Sequence, residues 1–350
     1  MGVHVKFTES ERNAVLKRTA QVQKQMFAKN TTAVYGTGVL KLVLFAMWFR
    51  FPFSPPTEQT LAAFVVFQSK TCCHASLKVY LYAIRAWVLS RGHPWKPWTE
   101  QYQVYGAMQG LKRLFGHQVV PKLAVTPALL LQFVAFLQIS EFNDLMMLGA
   151  MLVAFFGLFR KDNITVGKPE AFNPRANLTV GDFEVNHAQG IVWVRVKHSK
   201  VIQFRERFHW IPLVRMAGHP LCPFSIVCAL LEMHRRIGSS PDSPMFLWKV
   251  GKKVSPMTHA VFVKAFKRLV KMSGLDWTKY SGHSFRRGGA TYCFNLGVCP
   301  ELIKLLGDWK SDAYLLYDQT TDRRRLELPR AMVQAIQSGV LHHGARRMDE

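Results

Sequence analysis

The residues best suited to chemistry lie within one stretch, 281–317, which begins SGHSFRRGG and ends SDAYLLY. His283 and Arg286 are three positions apart, and residues at that spacing share a helix face. A permanently charged, fork-shaped donor beside a titratable imidazole suits a phosphate group. A tyrosine further along, such as Tyr317, could attack that phosphate and form a covalent intermediate. The alternative is a basic helix pair with aromatic side chains in its core.

This stretch resembles the signature of the tyrosine recombinases, the phage-integrase family. The signature is His-x-x-Arg, then Gly-x-Trp or Gly-His, then the attacking tyrosine, and here Trp309 and Tyr317 follow the His-x-x-Arg pair. Upstream, the segment 154–163 (AFFGLFRKDN) is similar to the family's box around the first catalytic arginine, which corresponds to Arg160. Lys200 begins a segment, KVIQF, that is similar to the one around the family's catalytic lysine.

The resemblance covers most of residues 58–320 and is closer after residue 150. The ending GDWKSDAYLLY looks most like that of enzymes from eukaryotic mobile elements of the DIRS, Ngaro and Crypton types. One position departs from the pattern, because the family has an acidic residue three positions after the first arginine and Asn163 stands there.

The resemblance implies a role for each of six residues. Arg160 and Arg286 would hold the two non-bridging oxygens of the scissile phosphate in charge-assisted hydrogen bonds. Trp309 would add its indole N–H, the only polar group of that side chain. The base or hydrogen-bonding helper, the acid for the departing 5′ oxygen and the nucleophile would be His283, Lys200 and Tyr317. The product would be a 3′-phosphotyrosine link, formed without a metal or any other cofactor.

Two of these assignments have a rival. If the segment after Trp309 is helical, Tyr314 and Tyr317 lie one turn apart on nearly the same face, so periodicity does not choose between them. The spacing from Trp309 in the family favours Tyr317. Lys197 competes with Lys200, and the flanking residues favour Lys200.

The chain carries 46 Lys and Arg residues against 22 Asp and Glu, which gives a formal net charge of +24. Such an excess indicates a polyanionic partner, and double-stranded DNA fits best. The predicted helix 258–272 places four basic residues on one face, namely Lys264, Lys267, Arg268 and Lys271. We expect this face to contact DNA, although a role in solubility is the alternative. Further candidates for DNA contacts are Lys78, Arg85 and Arg287.

The length of 350 residues predicts two domains, and the resemblance implies that the first clamps DNA and the second is catalytic. Residues 1–115 are expected to form an all-α, DNA-clamping domain, and 116–125, with Gly, Pro and no periodicity, a linker. Residues 126–350 are expected to form a mixed α/β catalytic domain that ends in a tail helix.

Strand signals occur only in this second domain, where 190–198 alternates apolar and polar residues and 204–213 is its expected partner. The predicted fold class is therefore mainly α with a small β-sheet.

No membrane or secretion signal is predicted. The apolar runs 42–48 and 145–159 are shorter than the roughly 18 residues that a span requires, and the second is expected to be a buried helix. The first residues lack the apolar core of a signal peptide. The six cysteines contain no CxxC pair, so reduced and mostly buried thiols are expected. The resemblance suggests a nuclear protein, or a cytoplasmic one beside its DNA if the source is not eukaryotic.

The sequence thus predicts a site-specific recombinase or integrase that cuts and rejoins duplex DNA. The family acts as a tetramer on synapsed DNA, with a dimer at each site, and the segment 323–340 is the candidate for docking on a neighbouring protomer. Two alternatives stay open. A DNA-binding protein that has lost catalysis should lack at least one of the six residues. A type IB topoisomerase should relax supercoils without strand exchange.

Overall fold

The computed structural model describes residues 8–116, 121–204 and 206–317, and beyond these only positions 329–330, 333–334 and 337. Contacts between Cα atoms divide the chain into two compact units, Met1–Val120 and Pro121–Glu350. Two residues of the predicted linker pair with the second unit, since the Leu123 N–H donates to the Lys279 carbonyl at 2.7 Å and the Val125 N–H to Ser284 at 3.0 Å.

The described part of the first unit is all helical, as predicted. Its helices are α1 (Glu9–Gln23), α2 (Lys29–Phe49), α3 (Glu58–Gln68), α4 (His74–Ser90) and α5 (Tyr102–Phe115). Helix α2 packs against α4, and α3 against α5. Leu42, Phe64 and Leu81 are among the buried side chains at their centre. Helix α1, described along its whole length, buries none of its residues.

Helix α2 is longer and more apolar than the run 42–48 indicated. Its segment Asn30–Phe49 has a mean hydropathy of 1.5 over 18 residues and, by length and composition only, is the one helix among the described residues that could cross a membrane. However, Leu42, Phe45 and Ala46 are buried in the core of the first unit. One face of α2 therefore lies in the core of the first unit. The core helix of a globular unit passes the same test of length and hydropathy as a membrane-spanning helix.

The second unit is built around one buried helix. Its helices are α6 (Pro127–Phe136), α7 (Phe142–Phe156), α8 (Lys161–Ile164), α9 (Pro223–Arg236), α10 (His259–Met272), α11 (Ser284–Asn295) and α12 (Pro300–Leu306). Every residue of α7 from Leu145 to Phe155 is buried, as predicted, but the helix ends at Phe156 rather than at residue 159. It packs against α9 and α11. Gly149 permits the approach of α9, because a Cβ there would lie 2.4 Å from Leu230 Cδ1.

A three-stranded antiparallel sheet lies beside these helices, in the order β1 (Phe183–Asn186), β2 (Ile191–Val196) and β3 (His209–Val214). Along β2, buried valines alternate with more exposed residues, as predicted. The predicted start of the partner strand at Phe204 was wrong. Strand β3 begins only at His209, which pairs with Val196. Residues 197–208 form a longer connection, because Ser199 and Arg207 turn away from the sheet to bond Asp308.

A second hairpin was not anticipated from the sequence. Strands β4 (Leu247–Val250) and β5 (Lys253–Pro256) pair in antiparallel fashion, and Gly251 between them has a φ of 58°, which a glycine adopts without strain. Each strand has only four residues, too few for an alternation to stand out.

All six cysteines are free thiols. The expectation that most of them are buried was wrong. Only Cys222 is buried, whereas Cys73 and Cys299 are exposed and the other three are half-buried.

Candidate active site

Two glycines bring the start of α11 against neighbouring backbone. A Cβ on Gly288 would lie 1.9 Å from the Val125 carbonyl oxygen, and one on Gly289 would lie 2.3 Å from that of Phe155. No larger residue fits at either position without moving the backbone. The RRGG run therefore seats α11 beside the C-terminal end of α7, where Arg286 enters the interior.

Arg286 is 2% exposed and is held by two backbone carbonyls. Its Nη1 donates to Leu158 and its Nη2 to Gly307, the latter at 2.7 Å. Within the described part of the chain, its buried Nε has no hydrogen-bond partner. Burial, and next the charge of Arg160, lower the pKa of Arg286 to about 9. The guanidinium is therefore still charged at neutral pH and keeps a free donor.

Arg160 stands at the junction between α7 and α8. Its backbone N–H donates to Asn163 Oδ1 at 3.1 Å, so the residue at the family's acidic position caps this short helix. Asn163 Nδ2 also reaches the His198 carbonyl at 3.5 Å, in the connection between β2 and β3. The Arg160 side chain is half-buried. Burial lowers the pKa of Arg160, whereas Tyr317 and Asp308 act to raise it.

His283 lies at the N-terminal end of α11 with an exposed side chain. The protein atoms around it displace part of its hydration and lower its pKa, while the Asp162 carboxylate opposes this. Three cations lower the pKa further, namely Lys161, Arg160 and Arg286. The imidazole is therefore neutral at neutral pH and is able to accept a proton.

Trp309 packs its ring face on Arg286, with the guanidinium carbon 3.6 Å from the ring centroid. Such a cation–π contact is favourable when both groups are desolvated, and Trp309 is only 8% exposed. Gly307 makes room for the ring, because a Cβ there would lie 1.6 Å from Cζ3 of the indole. The observed contact is thus through the ring face, and the hydrogen bond predicted for the indole N–H stays a prediction.

The two candidate tyrosines lie on one 3₁₀ helix, Asp312–Tyr317, in which residues three apart project on the same side. Tyr314 is 5% exposed and stacks on Phe294, with ring centroids 6.2 Å apart and planes inclined by 14°. Tyr314 is therefore part of the core.

Tyr317 is half-buried and faces the cationic groups. Its ring centroid lies 5.8 Å from that of Trp309, and the Arg287 guanidinium lies 5.1 Å above its ring. It also lies close enough to Arg160 and Arg286 to act on the pKa of each of them. The structure thus brings Arg160, Arg286, Trp309 and Tyr317 together, with His283 at the edge of the group.

The two candidate lysines differ in their surroundings. Lys197 Nζ lies 2.5 Å from a carboxylate oxygen of the fully buried Asp182 and 2.5 Å from the Pro174 carbonyl oxygen. It is therefore committed to a structural ion pair. Lys200 is exposed, in the connection between β2 and β3.

The two arginines line a narrow cleft with a free volume of about 20 Å³, which they share with Asn163, Ser199 and Asp308 among others. Asp308 was not anticipated from the sequence. Its φ of 52° places it in the left-handed region, and its carboxylate accepts a hydrogen bond from Arg207, which lies 101 positions away in the chain. A single acidic residue between Gly307 and Trp309 was the only signal that the sequence offered.

The basic face predicted on α10 is present. Lys264, Arg268 and Lys271 are exposed, and Lys267 is half-buried with its Nζ 4.5 Å from the Trp277 ring centroid. The opposite face buries apolar residues, namely Phe262, Phe266, Leu269 and Val270.

The remaining candidates for DNA contacts lie on α4 and α11. In the first unit, Arg85 is exposed, and the Nζ of Lys78 lies 5.7 Å from the Trp98 ring centroid. In the second unit, Arg287 lies beside Tyr317. For metals, no group of three or more His, Cys, Asp or Glu side chains that could hold an ion is found among the described residues.

Comparison with solved structures gives the fold a class. The chain is similar to XerH site-specific recombinase bound to a palindromic difH substrate in a post-cleavage complex, with a TM-score of 0.58, 17% identity, and coverage of 86% of this chain and 79% of that one. It is similar to the Tn1549 transposon integrase in complex with transposon right end DNA, with a TM-score of 0.55, 13% identity, and coverage of 92% and 98%. It is also similar to a lambda integrase dimer bound to a COC′ core site, with a TM-score of 0.55, 16% identity, and coverage of 89% and 96%.

The chain therefore has the fold of the tyrosine recombinases and integrases, which confirms the predicted fold class of a helical domain followed by a mixed one. Comparisons with protein-family profiles and with curated proteins find no match.

Proposed function

We propose that this protein is a site-specific recombinase or integrase that cuts and rejoins duplex DNA through a 3′-phosphotyrosine intermediate. The observation that carries the proposal is that Arg160 and Arg286 line one cleft in a recombinase fold, with Tyr317 close enough to both to act on their pKa values. Two cations and an adjacent phenol are what a phosphodiester needs for attack without a metal.

The arginines would bind the scissile phosphate. A phosphodiester is anionic, and more negative charge develops on its non-bridging oxygens as a fifth oxygen approaches phosphorus. Because Arg286 is fixed by two carbonyls and stacked on Trp309, its free Nε–H is pre-organised rather than mobile. Pre-organised donors stabilise a transition state most, since they need no reorganisation during the reaction. Arg160 would hold the second oxygen.

Tyr317 would be the nucleophile and His283 the group that takes its proton. The phenol oxygen bonds to phosphorus, and its proton passes to the neutral imidazole, whose pKa is lowered by desolvation and nearby cations. The bond between phosphorus and the 5′ oxygen breaks, and Lys200 would supply the proton that the 5′ oxygen takes up. Attack by a 5′ hydroxyl from another strand reverses these steps and releases the tyrosine.

Double-stranded DNA is the proposed partner, with Lys78, Arg85, Arg287 and the basic face of α10 in contact with its backbone. The net charge of +24 and the DNA present in the similar recombinase structures support this. We further propose that two protomers bind each site, that a tetramer joins two sites, and that the protein moves a DIRS-, Ngaro- or Crypton-like element in the nucleus. The tail proposed to link protomers, 323–340, lies largely outside the described residues.

Selection from a pool of random duplexes, followed by sequencing, tests the proposal first and should recover an inverted repeat. A nicked duplex carrying that repeat, whose 5′ fragment diffuses away after cleavage, should then trap the protein as an SDS-resistant adduct. Bound DNA without any adduct would instead indicate a DNA-binding protein without catalysis. Relaxation of supercoiled plasmid without exchange between two repeats would indicate a topoisomerase.

A further inference from the structure

The connection between β2 and β3 presents Lys200 from a turn that one serine organises. Ser199 Oγ accepts hydrogen bonds from the Val201 and Ile202 N–H groups at 3.1 and 3.2 Å, and the Ser199 N–H donates to the Ile202 carbonyl at 3.1 Å. Ile202 is fully buried, which anchors the far side of the turn. Lys200 stands between these fixed points with its side chain exposed.

Asp308 joins this turn to the other wall of the cleft. Its Oδ2 accepts a hydrogen bond from Ser199 Oγ at 3.4 Å, and its Oδ1 pairs with Arg207 near the end of the same connection. A third contact joins the same two parts of the chain, because His209 Nε2, at the start of β3, lies 2.9 Å from the carbonyl oxygen of Leu306, two residues before Asp308. One carboxylate thus contacts both ends of the segment that carries Lys200.

A carboxylate in this cleft needs an explanation. Asp308 lines the same small cavity as Arg160 and Arg286, and a free negative charge there would oppose the binding of a phosphate. Its side chain is only 13% exposed, and Arg207 neutralises it. Because Asp308 is paired with Arg207, its carboxylate can hold the connection between β2 and β3 without leaving an unbalanced negative charge in the cleft.

We propose that Asp308 is a positioning residue that, through Ser199 and Arg207, holds the 197–208 connection so that Lys200 reaches the departing 5′ oxygen. This inference rests on the proposed function for the role of Lys200. The contacts of Asp308 with Ser199 and Arg207, which we call the latch, are a property of the free protein. A lysine side chain is long and flexible, so the position of its backbone decides how often its ammonium group reaches a given atom.

Amide hydrogen exchange of the free protein tests the latch without DNA. Asp308→Asn keeps the size of the side chain and tolerates a positive φ, and Arg207→Gln removes the partner charge. Both variants should speed exchange of the Val201 and Ile202 amides several-fold and leave the amides of β2 unchanged. Lys304→Gln, which breaks the exposed Lys304–Asp312 ion pair, is the matched control and should leave all of them unchanged. Unchanged exchange in both latch variants overturns the proposal.

A pair of nicked duplexes tests the consequence for catalysis. Both carry the selected repeat, and one has sulfur in place of the bridging 5′ oxygen. A thiol has a pKa of about 8.5, so the sulfur departs without a proton donor. On the oxygen duplex, Asp308→Asn and Arg207→Gln should cleave about tenfold or more slowly than wild type, since general acid catalysis supplies about 100-fold or more. On the sulfur duplex they should match wild type, as Lys200→Ala should.

The variant that combines Asp308→Asn with Arg207→Gln should be no slower than Asp308→Asn alone, because both changes break the same contact between these two residues. Wild-type rates on the oxygen duplex, or equal losses on both duplexes, would overturn the positioning role. If wild type forms no adduct on either duplex, the proposed function fails, and the exchange experiment still decides whether the latch exists.

Discussion

At the scale of single residues, the two tyrosines of the 3₁₀ helix have different surroundings. Tyr314 stacks on Phe294 in the core, whereas Tyr317 faces the arginines. Tyr317→Phe should form no SDS-resistant adduct on the nicked duplex, because it lacks the attacking oxygen. Tyr314→Phe should still form one, since phenylalanine preserves the packing.

The tryptic phosphopeptide from the wild-type adduct should map to Tyr317. Phosphate on Tyr314, or an adduct that persists in Tyr317→Phe, would show that the other tyrosine attacks.

The two arginines should differ in what their loss does. Arg160→Ala should slow cleavage about 100- to 1000-fold, as expected when one donor to the developing charge is lost, while repeat binding stays within about tenfold. Arg286→Ala should be at least as slow but also less stable, because burying two unpaired carbonyls costs about 1–3 kcal/mol each.

Rates of adduct formation, gel-shift affinity and denaturant melts of the same preparations separate these effects. Arg160→Ala cleaving at the wild-type rate would remove it from the phosphate site. A fully stable Arg286→Ala would contradict the bonds to Leu158 and Gly307.

The pH dependence of cleavage follows from His283. Its pKa is lowered by desolvation, and the form that accepts a proton is the neutral one. The rate should therefore fall as the pH drops through a value below the ordinary histidine pKa of about 6.5, and this group should cause no change above it. His283→Gln should remove the acidic inflection. An inflection above pH 6.5, or one that His283→Gln retains, would exclude this role.

Local patterns made several of these residues predictable. The His-x-x-Arg spacing and the GLFRKDN segment pointed to Arg286 and Arg160 because each sits in a contiguous motif. Asp308 could not be found in this way, because its role depends on a left-handed backbone and on an ion pair with a distant residue. The residues that flank Lys200 already favoured it over Lys197, and the fold adds a second reason because it buries Asp182 beside Lys197.

At the scale of elements, the basic face of α10 should govern how DNA affinity depends on salt. Each phosphate that a cation neutralises contributes roughly −0.9 to the slope of log affinity against log salt concentration. Changing Lys264, Lys267, Arg268 and Lys271 to Gln should flatten this slope by a few units, with Lys267 contributing least because it lies on Trp277.

Arg235→Gln with Arg236→Gln on α9 is the matched control, since both arginines already pair with Glu232. An unchanged slope in the α10 variant would place its basic face away from DNA.

Elements with a long, regular pattern were predictable, and short ones were not. Helix α7 has eleven consecutive buried residues, and at the start of α6 the Thr126 hydroxyl accepts a hydrogen bond from the Leu129 N–H at 3.2 Å, a cap that a Thr-Pro pair commonly provides. The start of β3 was misplaced because Phe204 and Phe208 share the alternation of Trp210, whereas in the fold Arg207 binds Asp308 instead.

At the scale of the whole molecule, the proposed chemistry should not require an added metal. In the proposed mechanism the positive charge at the phosphate comes from Arg160 and Arg286, so adduct formation should persist at the wild-type rate in excess EDTA. The measurement is the rate with and without chelator on the same nicked duplex. A loss that added Mg²⁺ restores would show that a metal supplies part of that charge.

The bonds of Arg286 to Leu158 and Gly307 also bear on what natural selection would preserve in such a chain. A descendant that no longer cut DNA but still had to fold would be under pressure to keep Arg286, together with the Trp309 ring stacked on it and the glycine that accommodates that ring. The presence of these residues is thus evidence of an intact scaffold. Lys200 carries different information, because its exposed side chain contributes little to folding, and in the proposed mechanism only a working reaction would maintain it.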